Sequence, residues 1–463
     1  MNPPETAVEV TRELLLRYDR PAPRYTSYPT APEWREDFTD QEYRTALADA
    51  AARPDEPLSL YIHVPFCHER CAFCGCNVVI SRKEGVADKY LGYVDRELAM
   101  AAQALAGRSW IKQLHWGGGT PTYLSPEQIR QLFGSVARHF TVDAQAETAL
   151  EVDPRVTTRE QVETLRELGF NRVSMGVQDL DPQVQCEIHR NQSEEETRRL
   201  FTWCREVGFQ GINIDLIYGL PGQRLDTWTE TIHKIIDIHP DRLAIYSYAY
   251  LPAKLHNQRH IDVGKLPTGP EKYDLIATAR KLLLAAGYEA IGMDHFAVSY
   301  DELAVAMHER RLHRNFMGYT VVPAAEMVSF GTSAISEVGG VYAQNEKKLS
   351  RYYAAIDEGR FPTASGCHLS ADDRVRAWVI RQLMCNFYLD TQELGKRFGV
   401  AYETYFASEE HALREYYEQG FLARENGNLK VLALGQVFIR NVATVFDAYL
   451  QKTAVHHAFS RSV

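Results

Sequence analysis

Tyr61-Ile-His-Val-Pro-Phe-Cys-His-Glu-Arg-Cys-Ala-Phe-Cys-Gly-Cys76 places four cysteines, Cys67, Cys71, Cys74 and Cys76, within ten residues, directly after the apolar run Leu58 to Val64. The spacing is CxxxCxxCxC. Three thiolates on one tight loop suit three irons of a cubane cluster and leave a fourth iron open to a small molecule. Structural zinc is the competing reading, but zinc prefers four ligands delivered as two separated pairs, and no distant pair is present. Cys186, Cys204, Cys367 and Cys385 stand singly in apolar or helical runs, which fits small buried residues better than ligands.

Outward from this loop the chain repeats one pattern. Apolar, β-rich runs occur at Leu58 to Val64, Ile111 to Trp116, Ala146 to Val152, Asn171 to Val177, Ile212 to Ile217 and Leu243 to Tyr248. Amphipathic stretches separate them: Ala87 to Leu105, Pro126 to Phe140, Thr158 to Leu168, Glu194 to Val207 and Leu225 to Ile238, with Ser125, Thr157 and Ser193 as expected N-caps. Six β-then-α units predict an α/β fold with a parallel sheet and right-handed crossovers. In such sheets chemistry gathers at the C-terminal ends of strands, where the cysteine loop lies.

Three organisational units are expected. Residues 1–54 form an N-terminal extension rich in Pro, Arg and Tyr with little regular periodicity; Arg24, Tyr25, Tyr28 and Trp34 are costly to expose together, so it should pack near the active site. Residues 55–362 form the main domain. Residues 363–463 form a smaller, mainly helical domain, with helices at Asp372 to Met384, Thr391 to Phe398 and Tyr402 to Gln419 and a hairpin turning at Asn426-Gly427. Helices followed by such a wing resemble a winged helix, yet Ala371 to Val463 carries 11 Lys plus Arg against 11 Asp plus Glu. Without a basic excess, a lid is the better reading than a DNA-binding module.

Composition narrows the function classes. A net charge of −10 disfavours wholesale nucleic-acid binding, which needs a basic face. No run approaches the roughly 20 apolar residues of a bilayer span, and Met1-Asn-Pro-Pro-Glu-Thr6 does not read as an export signal, so a cytoplasmic location is expected. Eight cysteines, four of them clustered, then argue for reduced thiols.

The CxxxCxxC loop after a strand, with Phe73 before the last thiol, resembles the radical S-adenosylmethionine (SAM) enzymes. Cys76, the stretch Pro23-Arg24-Tyr25-Thr26-Ser27-Tyr28-Pro29 and the stretch His115-Trp116-Gly117-Gly118-Gly119-Thr120-Pro121-Thr122 are similar to those of the oxygen-independent coproporphyrinogen III dehydrogenases, from about Tyr18 to near the C-terminus. The resemblance implies a partial (β/α)6 barrel open on one side. It implies a [4Fe-4S] cluster on Cys67, Cys71 and Cys74 and two SAM molecules: Tyr61, Gly118, Glu151, Ala249 and Ile335 resemble contacts of the cluster-bound one, and Phe73, Gly119, Thr120, Gln178, Arg190 and Asp215 those of a second. Alone, Gln178, Arg190 and Asp215 also read as a structural polar network. Cys76 is assigned a catalytic role in handling intermediates, not cluster ligation.

The implied reaction is anaerobic. A one-electron donor such as flavodoxin or ferredoxin reduces the cluster, SAM yields a 5′-deoxyadenosyl radical, and two propionates of coproporphyrinogen III become the vinyl groups of protoporphyrinogen IX. Unactivated C–H bonds resist proton abstraction, so a cofactor must supply the chemistry. The substrate is anionic, and arginine forks match carboxylates; Arg24, Tyr25, Arg310, Arg311, His313 and Arg314 are the candidate contacts, with His308 beside them. A monomer is expected. The rival readings are a haem chaperone, which Cys76 and the Pro23 to Pro29 stretch oppose, and another radical reaction on a tetrapyrrole.

Overall fold

A computed structural model of the chain describes residues 10–322, 326–452 and 459–461. The stretch Met1 to Thr6, on which the export reading rests, lies outside the described residues. Six strands form the centre of the fold: β1 (Leu58–Val64), β2 (Trp110–Gly118), β3 (Thr141–Val152), β4 (Arg172–Gln178), β5 (Gly211–Tyr218) and β6 (Arg242–Ser247). They pair in that order, all parallel.

Alternation along each strand sorts the side chains. Leu60, Ile62, Leu114, Trp116, Leu150, Val173, Met175, Ile214, Leu216 and Ile245 are buried in one apolar core with residues of the surrounding helices. The alternate positions, among them Gln113, His115, Glu151, Ser174, Asn213, Asp215 and Tyr246, line the interior. The sheet thus faces helices with its apolar side and encloses a polar hollow.

The five predicted helices are present within two residues of their expected ends. Ser125 and Ser193 close capping boxes as expected. Thr157 does not: Thr158 caps the helix Arg159–Glu167, and the Thr157 hydroxyl donates to the Asp153 carbonyl oxygen, 2.8 Å away.

The sheet continues beyond six strands. β7 (Glu326–Phe330) lies parallel beside β1, followed by antiparallel Ile335–Val338, Val341–Asn345 and Thr363–His368. On the far edge His295–Val298 runs antiparallel to β6 and pairs with Tyr288–Ile291. These short strands are too brief for a strong sequence period. Because Thr363–His368 is an edge of the main sheet, the helical portion begins at Ala371 rather than at 363.

A second apolar core gathers Val379, Leu383, Leu394, Phe406, Phe421, Leu429, Phe438 and Phe446 with Tyr18 and Tyr28 of the N-terminal segment. That segment is more regular than its composition suggests, with helices Arg12–Tyr18 and Asp40–Ala51; Leu47 and Ala50 of the latter join the main core. The hairpin turns at Asn426 and Gly427, both at positive φ. The stretch from Tyr402 is three short helices, not one, broken at Phe406 and Leu413. No helix among the described residues is long and apolar enough to cross a membrane.

Candidate active site

The cysteine loop leaves β1 and is held by the residues that follow β2. The Gly119 N–H donates to the Val64 carbonyl oxygen (2.8 Å) and the Thr120 N–H to that of Phe66 (2.9 Å). A Cβ at Gly119 would lie 2.7 Å from the Pro65 carbonyl, and one at Gly118, whose φ is +117°, 2.6 Å from the His63 ring. The two glycines are what let β2 and the cysteine loop approach this closely.

Cys67, Cys71, Cys74 and Cys76 line a cavity of about 250 Å³ together with Phe73, Gly118, Gly119, Thr120, Glu151, Gln178, Arg190 and Asp215. Residues of five successive strands and the loops after them, scattered over some 150 positions, therefore meet at one mouth. Each candidate ligand sulfur has a polar neighbour. Cys67 Sγ is 3.4 Å from the Thr120 hydroxyl, Cys71 Sγ accepts from Arg190 Nη1 (3.6 Å) and Arg155 Nη2 (3.8 Å), and Cys74 Sγ accepts from the Cys76 N–H (3.4 Å). Donors aimed at sulfur stabilise the anionic charge of thiolates and of an iron–sulfur centre.

Behind the sulfurs lies an ionic network. Arg155 Nη2 is 2.6 Å and Arg190 Nη2 3.3 Å from the Asp153 carboxylate, all three side chains being largely buried. Burial pushes the Asp153 pKa up, but the charge of Arg190 and the bonds from Arg155 outweigh it and hold the carboxyl below its ordinary value. Arg190 also donates to the Gly176 carbonyl at 2.5 Å. Gln178 sits at φ +73°, a strained backbone for a non-glycine residue, at the cavity wall.

Glu151 and Asp215 face the cavity in different states. The Gly118 N–H donates to Glu151 Oε2 at 3.0 Å and His115 Nε2 lies 3.8 Å from Oε1; although burial opposes it, the nearby imidazole of His115 and the Gly118 N–H hold the Glu151 carboxyl below its usual value. The Glu151 side chain remains 44% exposed to the hollow. Asp215 accepts from Ser174 and Asn213, both at 2.8 Å, yet burial, with the Glu151 charge adding, pushes it up to about 6. An unfolded chain ionises this carboxyl near pH 4, so the fold loses stability as pH rises from about 4 to 6. In the cofactor-free chain Asp215→Asn is expected to flatten that slope and add roughly 2 kcal/mol at pH 8, measured by urea unfolding at pH 5 and pH 8.

Three expected SAM contacts do not line this cavity. Tyr61 stands next to it, its ring stacked on His115 and its hydroxyl 3.2 Å from His63 Nδ1. Ala249 lines a neighbouring groove, and its carbonyl accepts from Gln258. Ile335 packs against the cluster of Trp34, Tyr342 and Cys367.

The basic candidates separate. Arg24 forms an ion pair with buried Asp294 and lies over the Tyr246 ring, which itself lines the cavity. Arg314 Nη1 donates to the Arg24 carbonyl at 2.6 Å and lies over Tyr319. The others point elsewhere. The Tyr25 hydroxyl donates to Asp447, Arg310 lies over Tyr388 of the second core's sheet, and Arg311 is exposed and paired with Glu309. His308 pairs with Glu289, and the His313 pKa, lowered to about 4 by burial and nearby arginines, leaves it neutral. The hairpin His313–Asn315 and Gly318–Thr320 turns only Arg314 inward, because alternate strand residues face opposite sides.

Sequence reasoning missed Arg155, His115 and Tyr246, and also Asn257 and Gln258, whose amides bind the cysteine loop from the segment after β6. Ala249, a candidate from the sequence, pointed near them, since its carbonyl accepts from Gln258. Nothing in an Asn-Gln pair within a loop marks it as a clamp.

A family model described as the radical SAM superfamily matches residues 61–235, and one described as the HemN C-terminal domain matches residues 369–438. The oxygen-independent coproporphyrinogen III oxidase of Escherichia coli strain K12 is 43% identical over 97% of this chain and 98% of its own length. The chain belongs to this family of radical SAM enzymes. The Synechocystis oxygen-independent coproporphyrinogen III oxidase is 40% identical, covering 98% of each chain. The solved structure described as coproporphyrinogen III oxidase (HemN) from Escherichia coli, a radical SAM enzyme, superposes with a TM-score of 0.89 over 92% of this chain and 97% of that one. Membership in the radical SAM family brings a [4Fe-4S] cluster and SAM, and the thiol and donor set of the cavity suits them. Cys67, Cys71 and Cys74 are the residues that would hold the cluster.

Proposed function

We propose that this chain converts coproporphyrinogen III to protoporphyrinogen IX without oxygen, in keeping with relatives named oxygen-independent coproporphyrinogen III oxidases. The observation that carries the reading is the meeting, in one cavity, of the three spaced cysteines with Gly118, Glu151, Gln178, Arg190 and Asp215. Each propionate loses CO2, one hydrogen atom and one electron to become a vinyl group. When bound, the cluster and SAM supply the carbon radical that removes the hydrogen atom.

The chain's own residues bind, orient and exclude. Glu151 and Asp215 offer carboxyl oxygens to ribose hydroxyls, Asp215 donating or accepting according to its protonation near pH 6. Gly118 presents backbone without a side chain, as a cofactor amino group requires. A second SAM beside Phe73, Gly119, Thr120, Gln178, Arg190 and Asp215 is part of this reading, as is action as a monomer in the cytoplasm fed by an external one-electron donor. Cys76 stands next to the ligands and is free to act on intermediates. Arg24 and Arg314 form the propionate end of the site: Arg24 is paired with Asp294, while Arg314 donates to the Arg24 carbonyl and lies within the field of the same carboxylate, so a substrate carboxylate finds a cation there.

The test is anaerobic incubation of reconstituted protein with dithionite, SAM and coproporphyrinogen III. Protoporphyrinogen IX, CO2 and 5′-deoxyadenosine should appear together; stable haem uptake with no turnover would instead favour a chaperone.

A further inference from the structure

The proposed reaction takes electrons from outside the chain one at a time, and the cysteine loop is where they must arrive. Two exposed segments flank that loop. On one side Val79–Ile80 pairs with Phe66–Cys67 and continues into exposed Arg82 and Lys83. On the other, the segment after β6 is clamped to it: Asn257 Nδ2 donates to the carbonyl oxygens of Cys71 (3.3 Å), Ala72 (2.9 Å) and Cys74 (2.9 Å), and Gln258 Nε2 to that of Phe73 (3.1 Å). One amide therefore grips the backbone of two cysteines while its neighbours Lys254, His256 and Arg259 are exposed.

The charge of these segments runs against that of the chain. Residues 67–83 and 251–261 carry five Lys or Arg, all exposed, against one Asp or Glu, in a chain of net charge −10. The one acid, Glu69, is paired with Arg82 at 2.9 Å, and Glu84 and Asp262 only border the face. Ile80, 43% exposed, gives the face an apolar spot. An acidic protein that concentrates positive charge around one loop draws an acidic partner there and repels it elsewhere.

We propose that this face, with Ile80, Arg82, Lys83, Lys254 and Arg259, is the docking surface for a small acidic one-electron carrier protein, and that Asn257 is the hydrogen-bonded link from it to Cys71 and Cys74. The proposal rests on the cluster reading above. The carrier loses one electron and the cluster gains one; no bond or proton changes place.

Arg82→Glu/Lys83→Glu and, separately, Lys254→Glu/Arg259→Glu test it in the full, cluster-loaded chain. The measurement is the initial rate at which reduced flavodoxin, as the acidic probe, bleaches the cluster's visible absorbance, against the rate with excess dithionite. At low salt each pair should slow the carrier-driven rate about tenfold or more and leave the dithionite rate within about twofold. Near 0.5 M salt, where screening reaches only a few ångströms, the wild-type advantage should vanish. Carrier-driven rates unaltered in both pairs overturn the proposal, as does a loss matched equally by dithionite. Because the cluster and not the product is read, a wild type that bleaches normally but yields no vinyl product counts against the reaction and not against the surface.

Discussion

Cys67→Ser is expected to remove both the cluster and the reaction, with turnover falling by at least about a thousandfold, since no protein side chain can replace an imported radical. The loop supplies three thiols, and losing one leaves two irons held where three were. Serine's hydroxyl ionises far less readily than a thiol and is a hard ligand. The fold should survive, because Cys67 is only partly buried and its thiol contacts the Thr120 hydroxyl rather than a buried charge. Iron content and visible absorbance measure the cluster, circular dichroism the fold, and deoxyadenosine release the reaction. A variant with no cluster that still forms protoporphyrinogen would sink the assignment.

Asp153→Ala should cost about 3–5 kcal/mol of stability, because it strands Arg155 and Arg190 in a buried site with no carboxylate between them. Those guanidiniums are also the donors to Cys71 Sγ, so cluster loading should fall with stability. The pH dependence has a definite sign. The Asp153 carboxyl titrates below its ordinary value in the fold, so its contribution is complete above the usual carboxylate range and is lost as pH falls through the lowered value. Urea unfolding between pH 3 and 7 should therefore show the difference between wild type and variant shrinking toward the acid end; a constant difference would mean that the carboxylate's charge is not what holds the pair.

Much of the barrel was legible because its strands place an apolar residue at every second position toward the helices, and the helices between them keep a 3.6-residue period. Leu58–Val64 was readable to the residue and four other strands within two residues, whereas Thr141–Val152 begins five residues before its expected start at Ala146. The edge strands were not. Ile335–Val338 and Val341–Asn345 are four and five residues long, shorter than the window in which alternation can be told from chance. The N-terminal segment misled in another way: its Pro, Arg and Tyr content conceals two helices, because Tyr18 and Tyr28 are ordered by a core whose other members lie some 350–420 residues downstream.

The basic stretch Met307 to Tyr319 shows the same limit at the site. Sequence placed five cationic or imidazole side chains together, whereas the hairpin sends Arg314 toward Asp294 and Arg24 and leaves Arg310 on Tyr388 and Arg311 in solvent. Proximity along the chain fixed their number but not their direction.

Local chemistry, by itself, determined the cysteine spacing, the glycines beside it and the order of strands and helices, since those depend on residues within a turn or two of one another. Which distant groups meet was decided only by tertiary structure: Asp153 with both arginines, Asn257 with three loop carbonyls, Arg24 with Asp294 across 270 positions. Such contacts are set by how strand ends converge at a barrel mouth, and no short-range pattern encodes that convergence.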